Sequence, residues 1–188
     1  MESVSLGTCP VCSQGRQLVA RDEQGNFIIY CEDCESLWKS PEDVLSADTA
    51  YRNDTGGKLT LVSWEELSDD WKSKVFVTQL VLYVPEIKRL LEESIKDNDE
   101  LLPYVFLGDV RRFVLTEAES DRLNPTQPAA RILRFFEDQL KIGGKYMQGF
   151  IHVSFTDNFP DESPVLLALK PLMGPLLQQQ LKDEGKII

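Results

Sequence analysis

Two Cys-x-x-Cys pairs near the N-terminus constrain the fold of this chain more than any other feature of its sequence. The pairs are Cys9-Pro-Val-Cys12 and Cys31-Glu-Asp-Cys34, and eighteen residues separate Cys12 from Cys31. Two such pairs at a separation of about fifteen to twenty residues are typical of zinc sites. A two-residue gap turns both sulfurs of a pair toward one point, so two pairs complete a tetrahedron around the metal. The sequence therefore predicts one Zn²⁺ ion bound by Cys9, Cys12, Cys31 and Cys34.

The residues between the two pairs predict a β-hairpin. Gln17–Arg21 and Phe27–Cys31 have the composition of strands, and the five residues between them are rich in turn formers. This hairpin would carry the second cysteine pair back to the first and form a small zinc ribbon. Catalytic zinc keeps one position open for water, whereas four thiolates fill the shell, so we expect a structural ion.

A linker is predicted after the ribbon. Residues 48–58 contain few apolar side chains and two adjacent glycines. We therefore predict a zinc ribbon and linker over residues 1–57 and an α-helical domain over residues 58–188. Ser40-Pro-Glu-Asp has the sequence of a helix start. Residues 74–84 are apolar without a clear period, which leaves both helix and strand open.

From Pro85 onward, apolar residues recur at helical spacing. Helices are predicted to begin at Pro85 and after Asn98 or Asp99, and two more to cover residues 128–140 and 145–158. Residues 163–184 are interrupted by Pro171, Gly174 and Pro175, which favours two short helices there. The predicted fold class is mainly α, an antiparallel α-helical domain preceded by a small β-hairpin zinc ribbon.

Acidic charge limits the partners of this chain. It has 31 Asp and Glu against 20 Lys and Arg, a formal net charge of −11. Both predicted parts contribute, with 10 acidic and 4 basic residues in 1–57 (−6) and 21 and 16 in 58–188 (−5). Nucleic-acid binding relies on Lys and Arg displacing counterions from phosphates, so we do not expect it here. A basic protein partner fits this charge, and solubility alone also accounts for it.

The sequence predicts no catalytic site. His152 is the only histidine, and it falls on the face of a predicted helix opposite the apolar stripe. A serine or cysteine nucleophile needs a base beside it, and all four cysteines are assigned to the metal. We therefore expect a non-enzymatic protein. An enzyme built from dispersed Asp, Glu, Arg and Tyr residues is the alternative, and a deep pocket with shifted carboxylates would indicate it.

The compartment follows from two absences in the sequence. No stretch approaches the roughly 20 apolar residues that span a bilayer. The first seven residues have neither the basic start nor the apolar run of a signal peptide. We expect a cytoplasmic protein without membrane contact, in which the cysteines stay reduced.

The segment Leu101-Leu-Pro-Tyr-Val-Phe-Leu-Gly-Asp-Val-Arg-Arg-Phe-Val114 resembles a bacterial helical domain of unknown function. The resemblance extends over residues 85–184 and includes Ile132–Leu140, Ile151–Phe155 and the leucine-rich residues 172–181. Members of that family resemble, or are encoded near, immunity proteins of contact-dependent and type VI toxin systems. The resemblance implies a protein that binds and neutralises a cognate toxin, and the ribbon lies outside it. The alternative is an accessory or regulatory zinc-ribbon protein that binds a host protein or nucleic acid.

Overall fold

The computed structural model describes residues 3–52, 57–119, 124–160 and 164–186. Contacts between residues divide the chain into two compact units, Met1–Leu82 and Tyr83–Ile188. The first unit contains an antiparallel β-sheet and a long helix, and the described part of the second unit is helical. The chain is therefore mainly α-helical with an N-terminal antiparallel sheet.

The sheet of the first unit has the strand order β1-β2-β3-β4-β5, and β6 pairs with β2 beyond the end of β1. The central pair, β2 and β3, is the predicted hairpin, which is confirmed, with Gln17 opposite Cys31 and Arg21 opposite Phe27. Shorter strands extend it on both sides, so the sheet is larger than the hairpin that we predicted. The strands are β1 Ser5–Thr8, β2 Arg16–Arg21, β3 Phe27–Cys31, β4 Ser36–Trp38, β5 Tyr51–Arg52 and β6 Thr60–Leu61.

Helix α1, Asp69–Tyr83, covers the segment for which the sequence left helix and strand open. Its buried residues Val75, Phe76 and Val77 are consecutive, so burial extends around the helix rather than along one stripe. An apolar period of 3.6 residues arises only when one face is exposed to water. The sequence therefore carried no periodic signal for α1.

The first unit extends beyond the predicted ribbon and linker. Tyr51 and Arg52, which we assigned to the linker, form β5 and pair with β4, while residues 53–56 lie outside the described residues. Val62 and Val75 pack in the same buried cluster as Trp38 of the sheet. Contacts consequently place the division after Leu82 rather than after residue 57.

The second unit contains α-helices of between 6 and 17 residues in its described part. Among the described residues, no helix has the length and apolar character to cross a bilayer. The helix predicted over residues 128–140 is confirmed, as are two short helices in the C-terminal segment. Pro85–Ile87 is a 3-10 turn, and the α-helix begins after it. The helices are α2 Lys88–Asn98, α3 Pro103–Glu119, α4 Pro128–Ile142, α5 Gly144–Ile151, α6 Pro164–Leu169 and α7 Pro175–Asp183.

Helix α5 continues into a π-helical turn over His152–Thr156, where one continuous helix had been predicted. The Asp157 N–H donates to the His152 carbonyl oxygen five residues earlier, at 2.9 Å. Phe150 and Phe155 are both at most 2% exposed. The ring centroids of Phe155 and Phe136 are 4.4 Å apart, and the two rings pack edge to face. The wider turn thus keeps two aromatic side chains five residues apart in the core.

A buried carboxylate joins α4 to the start of α7. Glu137 is 5% exposed, and its carboxylate accepts hydrogen bonds from the N–H groups of Leu176 and Leu177 at 3.0–3.2 Å. These donors have no partner within their own helix, and a negative charge there is favoured by the helix dipole. A Cβ atom at Gly174 would lie 2.2 Å from Cδ of Glu137, so only glycine leaves room for this carboxylate.

We predict that Glu137→Ala lowers the free energy of unfolding by about 2–3 kcal/mol, because it leaves buried N–H donors unpaired. Urea unfolding followed by circular dichroism measures the change. The matched control is Asp138→Ala on the same helix, whose side chain is 59% exposed beside Lys141. That control should shift stability by less than about 0.5 kcal/mol. Equal losses in the two variants would contradict the capping role.

Candidate metal centre

The four cysteines lie at the end of the sheet where two turns meet. Cys9 and Cys12 belong to the loop between β1 and β2, whereas Cys31 ends β3 and Cys34 lies in the turn before β4. Pairing of Gln17 with Cys31 places the end of β3 beside the start of β2. The hairpin therefore brings the second pair back to the first, as the sequence predicted.

The four sulfur atoms all lie within 4.8 Å of one another. The Sγ atoms of Cys9 and Cys34 are 3.7 Å apart, and those of Cys12 and Cys31 are 3.6 Å apart. A tetrahedral ion with metal–sulfur bonds of about 2.3 Å needs sulfur separations of about 3.8 Å. The four predicted ligands can therefore bind one metal ion. No other group of three or more His, Cys, Asp or Glu side chains clusters this closely in the described residues.

The two Cys-x-x-Cys turns have the same backbone conformation and hydrogen bond. The N–H of Ser13 donates to the Cys9 carbonyl at 2.9 Å, and the N–H of Glu35 donates to the Cys31 carbonyl at 3.2 Å. Ser13 and Glu35 each follow the second cysteine of a pair and have positive φ angles of 57° and 58°. This left-handed residue ends each turn, so both Cys-x-x-Cys loops present their sulfurs in the same way.

Each sulfur has a hydrogen-bond donor of its own. Backbone N–H groups donate to sulfur at 3.4–3.5 Å, from Val11 to Cys9, from Gly15 to Cys12 and from Cys34 to Cys31. The Ser36 hydroxyl lies 3.2 Å from Cys34 Sγ and can donate to it when the sulfur is a thiolate. Such donors stabilise negative sulfur, which is the form that binds metals.

Burial and these hydrogen bonds give the thiols unequal acidity. Burial raises the pKa of Cys9 and raises that of Cys31 to about 12. The N–H of Gly15 lowers the pKa of Cys12. Burial opposes ionisation of Cys34 as well, but hydrogen bonds with Ser36, Cys31 and Cys9 outweigh it and lower the pKa to about 6. A bound cation would offset the cost of holding the two buried thiolates, Cys9 and Cys31, away from water.

Gly15 is part of the site although it is not a ligand. A Cβ atom at this position would lie 2.6 Å from Cys31 Sγ and 2.8 Å from Cβ of Asp33. Glycine therefore allows the first turn to approach the second closely enough for the sulfurs to meet. Gly15 was not identified from the sequence, because its role depends on Cys31 and Asp33 farther along the chain. Ser36 was not identified either, although it lies two residues after Cys34, because Cys-x-x-Cys spacing does not indicate hydroxyl groups beside the sulfurs.

His152 lies in the second unit and has a partner that the sequence did not indicate. Its Nε2 atom is 3.2 Å from a carboxylate oxygen of Glu184, and its Nδ1 atom is 3.4 Å from the hydroxyl of Thr156. The imidazole lines a groove of about 610 Å³ together with residues of α5 and α7. Thr156 is 1% exposed, so this hydroxyl is not accessible to a substrate.

We predict that Gly15→Ala weakens metal binding by about tenfold or more, because a methyl group would push the Cys31 sulfur out of place. Competition with a chromogenic chelator measures this affinity. The control is Gly149→Ala, since a Cβ atom there has no atom within 4 Å. Unchanged affinity in Gly15→Ala would show that the turn relaxes without moving the sulfur.

Comparison of the sequence with protein families matches residues 77–187 to DUF7674, a domain of unknown function. This segment includes α2 to α7 and residues 85–184, where the sequence resembled a helical domain of unknown function, and it excludes the cysteine cluster. Neither curated proteins nor solved structures give a match. Because the matched segment makes up more than half of the 188 residues, the chain belongs to the DUF7674 family.

Proposed function

We propose that the four cysteines bind one zinc ion whose role is structural. Sets of four thiolates arranged as a tetrahedron select zinc or iron among the common metals. Cys9 and Cys31 are at most 1% exposed, which leaves little room for a substrate at the metal. A shell filled by four protein ligands also lacks the open position that catalytic zinc requires.

Zinc in this position would stabilise the whole sheet. Cys9 and Cys31 belong to the same buried cluster as Val19, Ile29 and Trp38. The ion would tie the loop before β2 to the end of β3 and so fix the register of the central hairpin. Structural zinc supplies on the order of 10–16 kcal/mol in small zinc-binding peptides, which is comparable with the net stability of a whole small domain.

We predict that the purified chain contains about one zinc ion per molecule, measured by elemental analysis, and that Cys9→Ser removes it. The sheet of the variant should lose its protection against amide hydrogen exchange, because the turns are no longer joined. Val11→Ala is the matched control, since Val11 lies in the same turn and is 45% exposed. Stoichiometric iron, or full protection without metal, would contradict a structural zinc ion.

The function that we propose for the whole chain is binding of a basic protein partner, without catalysis by the chain itself. The observation that carries this proposal is the acidic excess of both units. The first unit, 1–82, has 14 acidic and 7 basic residues (−7), and the second, 83–188, has 17 and 13 (−4). Zinc bound by four thiolates adds two further negative charges to the first unit. Complementary charge increases both the rate and the specificity of association.

A cognate bacterial toxin is the partner that we propose within this class. Support comes from the resemblance of residues 85–184 to a family associated with toxin-immunity proteins, combined with the acidic surface. An acidic inhibitor can bind a basic toxin quickly, because complementary charge steers the two proteins together. An accessory zinc-ribbon protein that binds nucleic acid is less consistent with the exposed Glu32, Asp33 and Glu35 beside the cysteines.

Co-expression tests this proposal directly. The chain is produced together with the protein encoded immediately upstream of its gene, and growth and co-purification are measured. We expect restored growth and a stable complex whose association rate falls as ionic strength rises. A neighbour that is toxic but neither bound nor neutralised would contradict the immunity function. Binding of random RNA or DNA at physiological salt would instead favour the accessory role.

A further inference from the structure

The face of the sheet opposite the main core of the first unit carries a separate strip of apolar side chains. Val19, Ile29 and Cys31 point into the core, so their neighbours on β2 and β3 point to the other face. These neighbours form a small cluster with residues from β4 and from the segment before β6. We call this set the outer strip: Ala20, Ile28, Tyr30, Leu37 and Leu59.

Two adjoining cavities lie over the outer strip. The larger has a volume of about 670 Å³ and is lined by Tyr30, Leu37 and Leu59 together with the turn that contains Cys34. The smaller has a volume of about 140 Å³ and shares Leu37 and Leu59 with the first. The two cavities form one groove, whose apolar floor consists of Ile28, Tyr30, Leu37 and Leu59. Tyr30 and Leu59 are the partly exposed members of this floor, whereas Ala20 lines neither cavity.

Acidic side chains line both ends of this groove. Glu32, Asp33 and Glu35 line the end beside the cysteines, and Asp22 and Glu23 line the opposite end. The basic residues that line it are Arg52 and Lys58, so the lining has five negative and two positive charges, a balance of −3. Arg16, outside the lining, pairs with Glu32 at 2.8 Å and reduces this balance to −2. Cys31 and Cys34 line the cysteine end as well, so a metal bound by four thiolates would add negative charge there.

We propose that this groove is the docking site for the basic protein partner, an inference that rests on the proposed function. The occupant is an extended segment with apolar side chains at its centre and lysine or arginine at both ends. The five residues of β3 between the two acidic ends extend over about 17 Å, which an extended chain covers in about five residues. Cations about five residues apart would therefore reach both ends while the apolar centre covers Tyr30 and Leu59.

The first test uses the zinc-loaded full chain and a defined probe, the capped heptapeptide Lys-Lys-Leu-Ser-Leu-Lys-Lys. Titration followed by amide chemical shifts should perturb the outer strip and the turn after Cys31. The same peptide with glutamine in place of lysine should bind about tenfold more weakly or not at all. Shifts confined to other acidic surfaces would overturn the assignment of this groove.

Two pairs of variants separate the groove from general attraction to an acidic protein. Leu59→Ser should weaken peptide binding by about tenfold, whereas Leu167→Ser, at a leucine that is 55% exposed on α6, should change it less than twofold. Glu35→Lys should likewise weaken binding more than Glu65→Lys, which makes the same change of charge on an exposed residue outside the groove. Equal effects within either pair would overturn the proposal.

The co-expression assay distinguishes failure of this inference from failure of the proposed function. If the wild-type chain protects cells and Leu59→Ser protects them equally well, the partner binds elsewhere and only the groove assignment falls. If the wild-type chain protects and Leu59→Ser does not, while Leu167→Ser does, the groove is the contact site. Zinc content measured in each variant shows that the ribbon has remained intact.

Discussion

Convergence of four sulfur atoms at one end of the hairpin is the constraint on which the first unit depends. The two turns that carry the cysteines meet where β2 begins and β3 ends. Backbone N–H groups already donate to the sulfurs of Cys9, Cys12 and Cys31, the Ser36 hydroxyl oxygen lies 3.2 Å from the sulfur of Cys34, and Gly15 leaves space at Cys31. Such preorganisation lowers the cost of ordering the ligands when a metal binds. The same sheet then presents its main core on one face and the outer strip on the other.

The second unit is organised by a different kind of polar interaction. Glu137 is 5% exposed, and an unpaired carboxylate in a buried position would be costly. Its partners are the N–H groups at the start of α7, which would themselves be unpaired without it. Each group thus removes the desolvation cost of the other. Because these hydrogen bonds are directional, they fix the position of α7 against α4 more specifically than apolar contacts alone would.

Sequence patterns predicted those structural features that are determined by residues close together in the chain. The spacing of Cys9, Cys12, Cys31 and Cys34 predicted that their sulfurs lie close together, and the helix predicted over residues 128–140 is present with Phe136 and Leu140 buried. Features that depend on distant residues were missed. Strands of two residues such as β5 have too little sequence for a period, and residues 71–81 of α1 include no exposed position that would create one. No local sequence pattern indicates that Glu137 pairs with residues 39 and 40 positions later, or that His152 pairs with Glu184.

The π-helical turn over His152–Thr156 requires a fixed number of residues between Phe150 and Phe155. In a regular α-helix each residue advances the side chains by about 100°, so removal of one residue rotates everything after it by that amount. Val153 is 54% exposed and is the outward-facing residue of this turn. Its deletion would restore an ordinary α-helical repeat from His152 onward at the expense of the wider turn. The ring of Phe155 would then take the place in sequence that Ser154 now holds, four residues after Phe150. The number of residues between Phe150 and Phe155 therefore decides whether both rings can lie in the core.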